Sequence, residues 1–479
     1  MSRRLIVCLA VAGVCLVEGA ADVRAAATLT PTKAKAALRQ AVCFFQTKVS
    51  ASGGYLWRYS ADLSLQEGER TGSATTAWVQ PPGTPTVGDA LLEAYHLTGE
   101  KLYLEAARQT ASALVAGQLQ SGGWDYRIEF DPKDRRRYAY RSDGRRTGRN
   151  MTTLDDDTTQ SAIRFLMRVD QTLKFKDREI HDAVEFALES LLRAQYPNGA
   201  WPQRYSRFLD PGQFPVKRAA YPDSWSRTYP QQDYRGHYTF NDDTIADLID
   251  MMFLAAEFYN DDRYRTAGER GGDFMLLAQM PEPQPGWAQQ YDLDMRPAWA
   301  RKFEPPAVSG GESQGVMRTL LNLYRRTGKK KYLEPIPRAL TYYRKSLLPD
   351  GRLARFYELK TNRPLYFVKD TYELTYSSDN MPTHYGFIVG SKLDSIEAES
   401  RQLLRTGPAK LNPPHKTPVY LMSRQLASRA QAVVDALDER GAWVEEGRLR
   451  TAGTVDRIID CRTFVNNVGI LSRFIAASQ

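Results

Sequence analysis

Histidine and cysteine are scarce in this chain, and their scarcity narrows the chemistry it can perform. The 479 residues include 5 histidines and 4 cysteines. None of them forms a His-x-x-x-His pair or a cysteine cluster of the kind that binds zinc. A phosphate-binding glycine loop is also missing. Any catalysis must therefore rest on carboxylates, arginine and lysine.

Long apolar runs are missing as well, apart from one near the start. Arg3 and Arg4 precede an apolar run over residues 5–17, and Val23-Arg24-Ala25 follows as a cleavage site. This pattern predicts a signal peptide over residues 1–25. The run is shorter than a bilayer span and no second one follows, so we expect a secreted or periplasmic protein without a membrane span.

The remaining chain, residues 26–479, is expected to form a single domain. Cys8 and Cys15 leave with the signal peptide, so the mature chain keeps Cys43 and Cys461, near its opposite ends. These two cysteines pair if the termini meet, or remain two buried free thiols. The sequence leaves both alternatives open.

Positive charge exceeds negative charge. The formal net charge is +9, and a basic exported protein suits a polyanionic partner. Nucleic acid is one such partner, but the basic residues are scattered and no nucleic-acid-binding motif accompanies them. An acidic polysaccharide fits the predicted compartment better.

Short glycine- and tryptophan-containing segments recur along the chain. Four of them are Gly53-Gly54-Tyr55-Leu56-Trp57, Gly122-Gly123-Trp124, Gly199-Ala200-Trp201 and Gly286-Trp287, and Gly351-Arg352-Leu353 is a fifth with leucine in place of tryptophan. Self-similarity of this kind is typical of repeat architectures. Packing against helix ends explains most of these tryptophans, whereas stacking on a sugar ring remains open for one or two, with Trp201 as the candidate.

Pairs of amphipathic runs separate these segments. Apolar residues recur at helical spacing in residues 86–97 with 102–119, 155–169 with 179–194, 242–259 with 263–278, 312–326 with 332–347, and 418–437 with 463–475. Each helical hairpin exposes an apolar face that only its neighbours can cover, so the hairpins stack. We expect an all-α fold, an (α/α) toroid with the Gly/Trp loops on one end.

Acidic residues concentrate where the first helices of three hairpins are predicted to start. The clusters are Asp155-Asp156-Asp157, Asp242-Asp243 and Glu312. One acidic residue there is ordinary helix capping, but three adjacent carboxylates exceed what a cap requires. Helix starts at one rim of a toroid converge, and carboxylate oxygens from two of them suit calcium.

Two basic segments complete the candidate site. Residues 291–306 carry Arg301 and Lys302, and residues 354–364, which we interpret as a strand pair or loop, carry Arg355 and Arg363. Arginine suits the binding of carboxylates. Salt bridges to Glu304 or surface exposure are the alternative explanations of these residues.

Several of these segments together resemble the polysaccharide lyase family 10 pectate lyases. The resemblance lies in Asp155 to Leu166, in Ala194-Gln195-Tyr196-Pro197-Asn198-Gly199-Ala200-Trp201-Pro202-Gln203, in Thr239-Phe240-Asn241-Asp242, in Ala300-Arg301-Lys302-Phe303-Glu304, in Ser309-Gly310-Gly311-Glu312-Ser313, in Thr361-Asn362-Arg363-Pro364 and in Arg462-Thr463-Phe464-Val465-Asn466-Asn467-Val468. These segments span most of the mature chain.

The resemblance implies calcium-dependent β-elimination of polygalacturonate. By motif, Asp155 and Asp242 bind the calcium ion together with Asp156, which stands where asparagine is frequent in the family. Arg301 matches the catalytic base, with a pKa lowered by neighbouring cations, and water protonates the leaving oxygen. The resemblance also implies that Arg363 and Arg355 hold carboxylates of the substrate, and we expect Trp201 and Lys302 to contact the substrate as well.

Two segments depart from the family. The stretch between Tyr205 and His237 is longer than expected and precedes the Asp242 cluster, where it changes the number or preference of subsites. Residues 390–418 match no pattern. Alternative readings are a glycoside hydrolase that uses an aspartate pair on the same toroid and a non-catalytic polysaccharide-binding protein; we expect a monomer in each case.

Overall fold

Helices dominate the chain. The computed structural model describes residues 29–208, 210–408 and 420–479. The α-helices in these ranges are α1 (Pro31–Phe44), α2 (Thr84–Thr98), α3 (Lys101–Gly117), α4 (Pro132–Arg135), α5 (Thr158–Thr172), α6 (Arg178–Ala194), α7 (Thr244–Tyr259), α8 (Asp262–Leu277), α9 (Glu312–Thr327), α10 (Ile336–Lys345), α11 (Leu393–Thr406), α12 (Arg424–Asp435) and α13 (Cys461–Ala477).

Short strands connect the helices at one end. They are β1 (Arg58–Ser60), β2 (Gln66–Glu67), β3 (Thr76–Trp78), β4 (Arg127–Glu129), β5 (Thr152–Thr153), β6 (Arg204–Tyr205), β7 (Tyr238–Thr239), β8 (Gln290–Tyr291), β9 (Ala307–Ser309), β10 (Leu353–Ala354), β11 (Phe356–Glu358), β12 (Pro364–Phe367), β13 (Leu374–Thr375), β14 (Ile388–Val389), β15 (Glu445–Glu446) and β16 (Arg457–Asp460). All their pairings are antiparallel. The predicted strand pair in residues 354–364 is β11 with β12.

Local sequence signals set the helix ends. Asp177 accepts a hydrogen bond from the Ile180 N–H at the start of α6, and Asp261 does the same for Arg263 at the start of α8. Gly99 and Gly328 end α2 and α9 in the left-handed conformation. Such N-caps and glycine C-caps satisfy the backbone groups that a helix end leaves free.

Four of the five predicted helical hairpins form, and the structure corrects the prediction at two places. Helices α2 and α3, α5 and α6, α7 and α8, and α12 and α13 pack against each other. Helices α9 and α10 both pack against α11, which the sequence pattern did not predict. Helices α5 and α7 begin after the acidic clusters rather than at them, because Asp155–Asp157 and Asn241–Asp243 form separate 3-10 turns.

One helix of each hairpin lines the inside of the arrangement. Helix α13 packs against α2, α2 against α5, α5 against α7, and α7 against α9. The two ends of the chain meet, since β1 pairs with β16 and α1 packs against α13. The expected all-α, (α/α) toroid fold is confirmed.

Meeting of the termini does not produce a disulfide. Cys43 and Cys461 are both free thiols. Cys461 is buried and its thiol donates to the Leu56 carbonyl at 2.9 Å, whereas Cys43 is exposed. The two cysteines are therefore not partners.

Four of the Gly/Trp loops share one construction. In these four, a buried indole N–H donates to a carbonyl in the preceding helix: Trp124 to Leu114, Trp201 to Leu191, Trp287 to Met275 and Trp443 to Val433. The copy at Trp443 was missed, although Gly441-Ala442-Trp443 repeats the pattern of Gly199-Ala200-Trp201. In the first copy Tyr55 occupies the buried position, while Trp57 is partly exposed.

The prediction that Trp201 contacts a sugar is wrong. Its side chain is 0% exposed, and the indole N–H is used 2.9 Å from the Leu191 carbonyl. The loop is held so closely that a Cβ on Gly199 would lie 1.9 Å from the Arg270 carbonyl oxygen. A side chain with no exposed surface offers no face to a sugar, so Trp201 serves packing.

Some predictions fall on parts of the chain about which nothing is described. The predicted signal peptide, residues 1–25, lies outside the described residues, as does the predicted helix start at Pro418. Within the described ranges, every helix is too short or too polar to cross a membrane.

Candidate active site

Two turns with the same backbone bring the acidic clusters together. Asp156 and Asp157 before α5, and Asp242 and Asp243 before α7, all have φ between 48° and 56°. Consecutive left-handed residues other than glycine are uncommon and strained, and such strain concentrates at functional sites. Carboxylate oxygens of Asp155, Asp156 and Asp242 lie within 4.8 Å of one another. The structure thus places the three predicted metal ligands in one cluster, here called the acidic cluster.

Repulsion within the acidic cluster favours a bound cation. Burial and the charge of Asp155 raise the pKa of Asp156 to about 6. Burial and the charges of Asp156 and Asp155 raise the pKa of Asp242 to about 7. Carboxylates that resist ionisation together are stabilised when a cation lies between them.

The donor set suits a hard cation such as calcium. Besides three carboxylates, the cluster is flanked by Asn241, whose side chain is 3% exposed and whose Oδ1 atom accepts no hydrogen bond. Asn241 directs its amide N–H groups to Asp242. Calcium takes carboxylate and amide oxygens as ligands, so the residues present fit it.

Three side chains that the sequence analysis missed hold Asp155 in place. Tyr126 Oη and Arg204 Nη2 each donate to Asp155 Oδ2 at 3.0 Å, and Gln203 Nε2 donates to Oδ1 at 3.0 Å. Tyr126 and Gln203 each follow a loop tryptophan by two residues. The Gly/Trp segments were therefore the available signal, because their residues share one end of the fold with the acidic cluster.

Arg301 lies beside the acidic cluster. Its Nη2 atom is 3.8 Å from Asp242 Oδ2 and 2.7 Å from Glu304 Oε1. Burial lowers the pKa of Arg301, but the hydrogen bond and charge of Glu304 outweigh burial and raise it above its usual value. The side chains of the protein therefore do not supply the lowered pKa that the prediction attached to neighbouring cations.

The other predicted substrate contacts lie around Arg301 at different depths. Arg355 forms an ion pair with Glu312, and its guanidinium carbon lies 4.4 Å from the ring centre of Tyr385. The Tyr385 hydroxyl donates to Glu304 Oε1. Tyr385 therefore connects the surroundings of Arg355 with those of Arg301. Lys302, next to Arg301, is exposed, with its Nζ 3.6 Å from the ring centre of Tyr372.

Arg363 is also exposed, and it lies in the turn between β11 and β12. Its guanidinium carbon lies 3.3 Å from the ring centre of Tyr376, and the Tyr376 hydroxyl donates to Glu358 Oε1. No described contact links Arg363 to the acidic cluster itself.

A groove of about 720 Å³ opens next to the acidic cluster. Asp242 and Asp247 line one side, and Glu312, Arg355 and Lys392 line the other. The groove has the volume of a small-ligand site and carries charges of both signs. It gives an extended ligand access to Asp242 and Arg355 at once.

A Gly-x-Ser-x-Gly pattern at Gly311 to Gly315 is structural. Ser313 is 0% exposed. Its Oγ atom donates to the Trp287 carbonyl and accepts from the Trp287 N–H and the Tyr343 hydroxyl. A nucleophilic serine needs an exposed hydroxyl on the turn, so Ser313 does not fill that role.

Comparison with known proteins finds a match to one family model over the central part of the chain. Residues 134–353 match the family model described as pectic acid lyase. Asp155, Asp156, Asp242 and Arg301 all lie within this segment. A search of curated protein sequences finds no match.

Several solved structures are similar in fold. A family 10 polysaccharide lyase from Cellvibrio cellulosa is 21% identical over 68% of this chain and 98% of its own, with a TM-score of 0.45, and a mutant of it was solved with trigalacturonic acid. A cellobiose 2-epimerase from Bacillus thermoamylovorans is 12% identical over 93% and 98% of the two chains, with a TM-score of 0.44. Likeness at this level bears on neither activity nor ligand.

Proposed function

We infer that this chain, a polysaccharide lyase whose residues 134–353 belong to the pectic acid lyase family, cleaves polygalacturonate by calcium-dependent β-elimination. The observation that carries the proposal is the position of Arg301 Nη2, 3.8 Å from Asp242 Oδ2 in the acidic cluster. A carboxylate cluster beside an arginine matches the two needs of this reaction: charge neutralisation at a uronate and a base at its C5 proton.

Calcium is held in this proposal by Asp155, Asp156 and Asp242. When bound, it supplies the positive charge that neutralises the uronate carboxylate, acidifies the C5 proton and favours the neutral form of Arg301. Tyr126 and Arg204 keep Asp155 oriented for that ion through their hydrogen bonds to Oδ2.

The protein's own side chains carry the remaining steps. Arg301 takes the C5 proton of a galacturonate, the bond from C4 to the leaving oxygen breaks, and water protonates that oxygen. Arg355 and Lys302 bind uronate carboxylates on either side of the bond, and Arg363 binds one further along. The product has a double bond between C4 and C5.

The test follows ultraviolet absorbance of that conjugated double bond when the mature protein is mixed with polygalacturonate and calcium. We expect absorbance to rise, and EDTA or Arg301→Ala to suppress the rise. Arg296→Ala is the matched control, because Arg296 is exposed in the same loop and makes no described ion pair. New reducing ends without absorbance would indicate an aspartate-pair hydrolase, and neither signal would indicate a binding protein.

We propose that the enzyme acts on pectate outside the cytoplasm, as one domain and as a monomer. Gel filtration of the mature protein tests the monomer, since a dimer would elute at twice the mass.

A further inference from the structure

A second cavity is lined in part by Arg204 and lies between the end of α6 and the segment that departs from the family. It has a volume of about 290 Å³, and its lining includes Arg193, Arg204, Arg207, Phe208 and Phe214. We call it the insertion pocket. Its size is near the lower limit of small-ligand sites, which suits one sugar unit rather than a long stretch of polymer.

Tertiary contacts hold the walls of the insertion pocket. Phe214 packs on Tyr196 with ring centres 4.6 Å apart, and Arg193 lies 3.8 Å from the ring centre of Phe208. On the far side, the Gly236 carbonyl accepts from the Tyr196 hydroxyl at 3.3 Å. These contacts fix the walls of the pocket, and fixed walls lower the entropy lost on binding.

The charges of the insertion pocket favour an anion. Asp233 is the one carboxylate among its lining residues, and it is paired with Arg235. Arg193 and Arg207 are exposed and make no ion pair among the described residues. Two uncompensated guanidinium groups beside aromatic rings suit a ligand with a carboxylate and an apolar C–H face.

Arg204 joins the insertion pocket to the acidic cluster. It lines the pocket, while its Nη2 atom lies 3.0 Å from Asp155 Oδ2. The two sites are thus separated by no more than one arginine side chain. A polymer bound at the acidic cluster carries a carboxylate on each unit, so a neighbouring unit can reach the pocket.

We propose that the insertion pocket is a subsite for one galacturonate unit of the substrate, with Arg207 and Arg193 binding its carboxylate. The proposal rests on the proposed function for the identity of the polymer. The segment between Tyr205 and His237 then adds affinity for chains long enough to span both sites.

The test compares kcat/KM on oligogalacturonates of increasing length. For the Arg193→Ala/Arg207→Ala double variant we expect kcat/KM to fall about tenfold on long chains, through KM, and to stay unchanged on the shortest chain that is cleaved. Arg207→Ala alone, at an exposed position, gives a smaller loss of the same kind and serves if the double variant does not fold. Arg218→Ala is the matched control, because Arg218 is exposed in the same segment but does not line the pocket.

An equal loss at every chain length, or no loss at all, would overturn the subsite. Failure of the proposed function is a separate result, in which the unmodified enzyme forms no double bond. In that case calorimetry with a saturated tetragalacturonate decides the pocket: weaker binding by the double variant supports it, and equal binding overturns it.

Discussion

Tyr126 offers the sharpest test of how the acidic cluster is held. Its hydroxyl lies 3.0 Å from Asp155 Oδ2 and 3.4 Å from Asp156 Oδ2. A hydroxyl donates one hydrogen, and the shorter contact is the better hydrogen bond. Tyr126→Phe therefore removes one hydrogen bond to a charged carboxylate, together with the hydrogen bond that the hydroxyl accepts from Arg204 Nη2 at 3.0 Å, while leaving the aromatic ring in place.

The size of the effect on calcium affinity depends on the hydrogen bonds that Asp155 keeps. A hydrogen bond to a charged group contributes about 1.5–3 kcal/mol, and about 1.4 kcal/mol corresponds to a tenfold change in affinity. Arg204 and Gln203 still hold Asp155 after the change. We therefore expect the Kd for calcium to rise about tenfold, at the lower end of the ~10–100-fold range for groups that orient metal ligands.

Isothermal titration calorimetry of the metal-free protein with calcium measures this change without relying on activity. Tyr138→Phe is the control, since Tyr138 is also largely buried but its hydroxyl takes no described hydrogen bond. A Kd within twofold of the unmodified protein, or an equal rise in the control, would refute the assignment of Tyr126 as a positioning residue for the cluster.

Two further predictions concern stability. Trp201→Phe removes the indole hydrogen bond to the Leu191 carbonyl, which still accepts from the Gln195 N–H. Urea unfolding should therefore show that the free energy of unfolding falls by about 1–2 kcal/mol, while the affinity for oligogalacturonate stays unchanged. Weaker sugar binding at full stability would contradict the packing role, and Trp225→Phe is the control. Burial lowers the pKa of His181, but Asp170, 2.8 Å away, outweighs burial and raises it. A raised folded pKa stabilises the protein fully below the unfolded value of about 6.5, and this contribution is lost as pH rises through the folded pKa. His181→Gln should therefore lower the free energy of unfolding by up to ~1 kcal/mol more at about pH 5.5 than at about pH 8.5, and an equal effect at both would contradict the linkage.

Helical hairpins were predictable because their signal is local. The 3.6-residue spacing of apolar side chains in α2, α6 and α8 placed these helices within a few residues of their observed ends. Helix α11 was missed because it lies in residues 390–418, where no family pattern guided the prediction. Its packing against α9 and α10 is a tertiary contact that its own sequence does not predict.

The candidate site was predictable in its residue types and not in its geometry. Adjacent carboxylates at Asp155 and Asp242 exceeded what helix capping needs, and this excess pointed to a metal site. The partners of Asp155 come from loops that are distant in sequence: Tyr126 lies 29 residues before it and Arg204 49 residues after it. Such pairs depend on how the hairpins stack, which no local pattern records.

Trp201 is a second case in which a local sequence pattern does not determine the role of a residue. As a residue type it suits both core packing and sugar binding, and only its 0% exposure decides between them. The sequence by itself determined the helical repeat, the acidic clusters just before α5 and α7 and the arginines available for carboxylates, because spacing and charge are local properties. Only the tertiary structure decided that Asp155, Asp156, Asp242 and Arg301 meet, that Trp201 is enclosed and that Arg204 contacts both the acidic cluster and the insertion pocket, because each depends on contacts between chain segments that are distant in sequence.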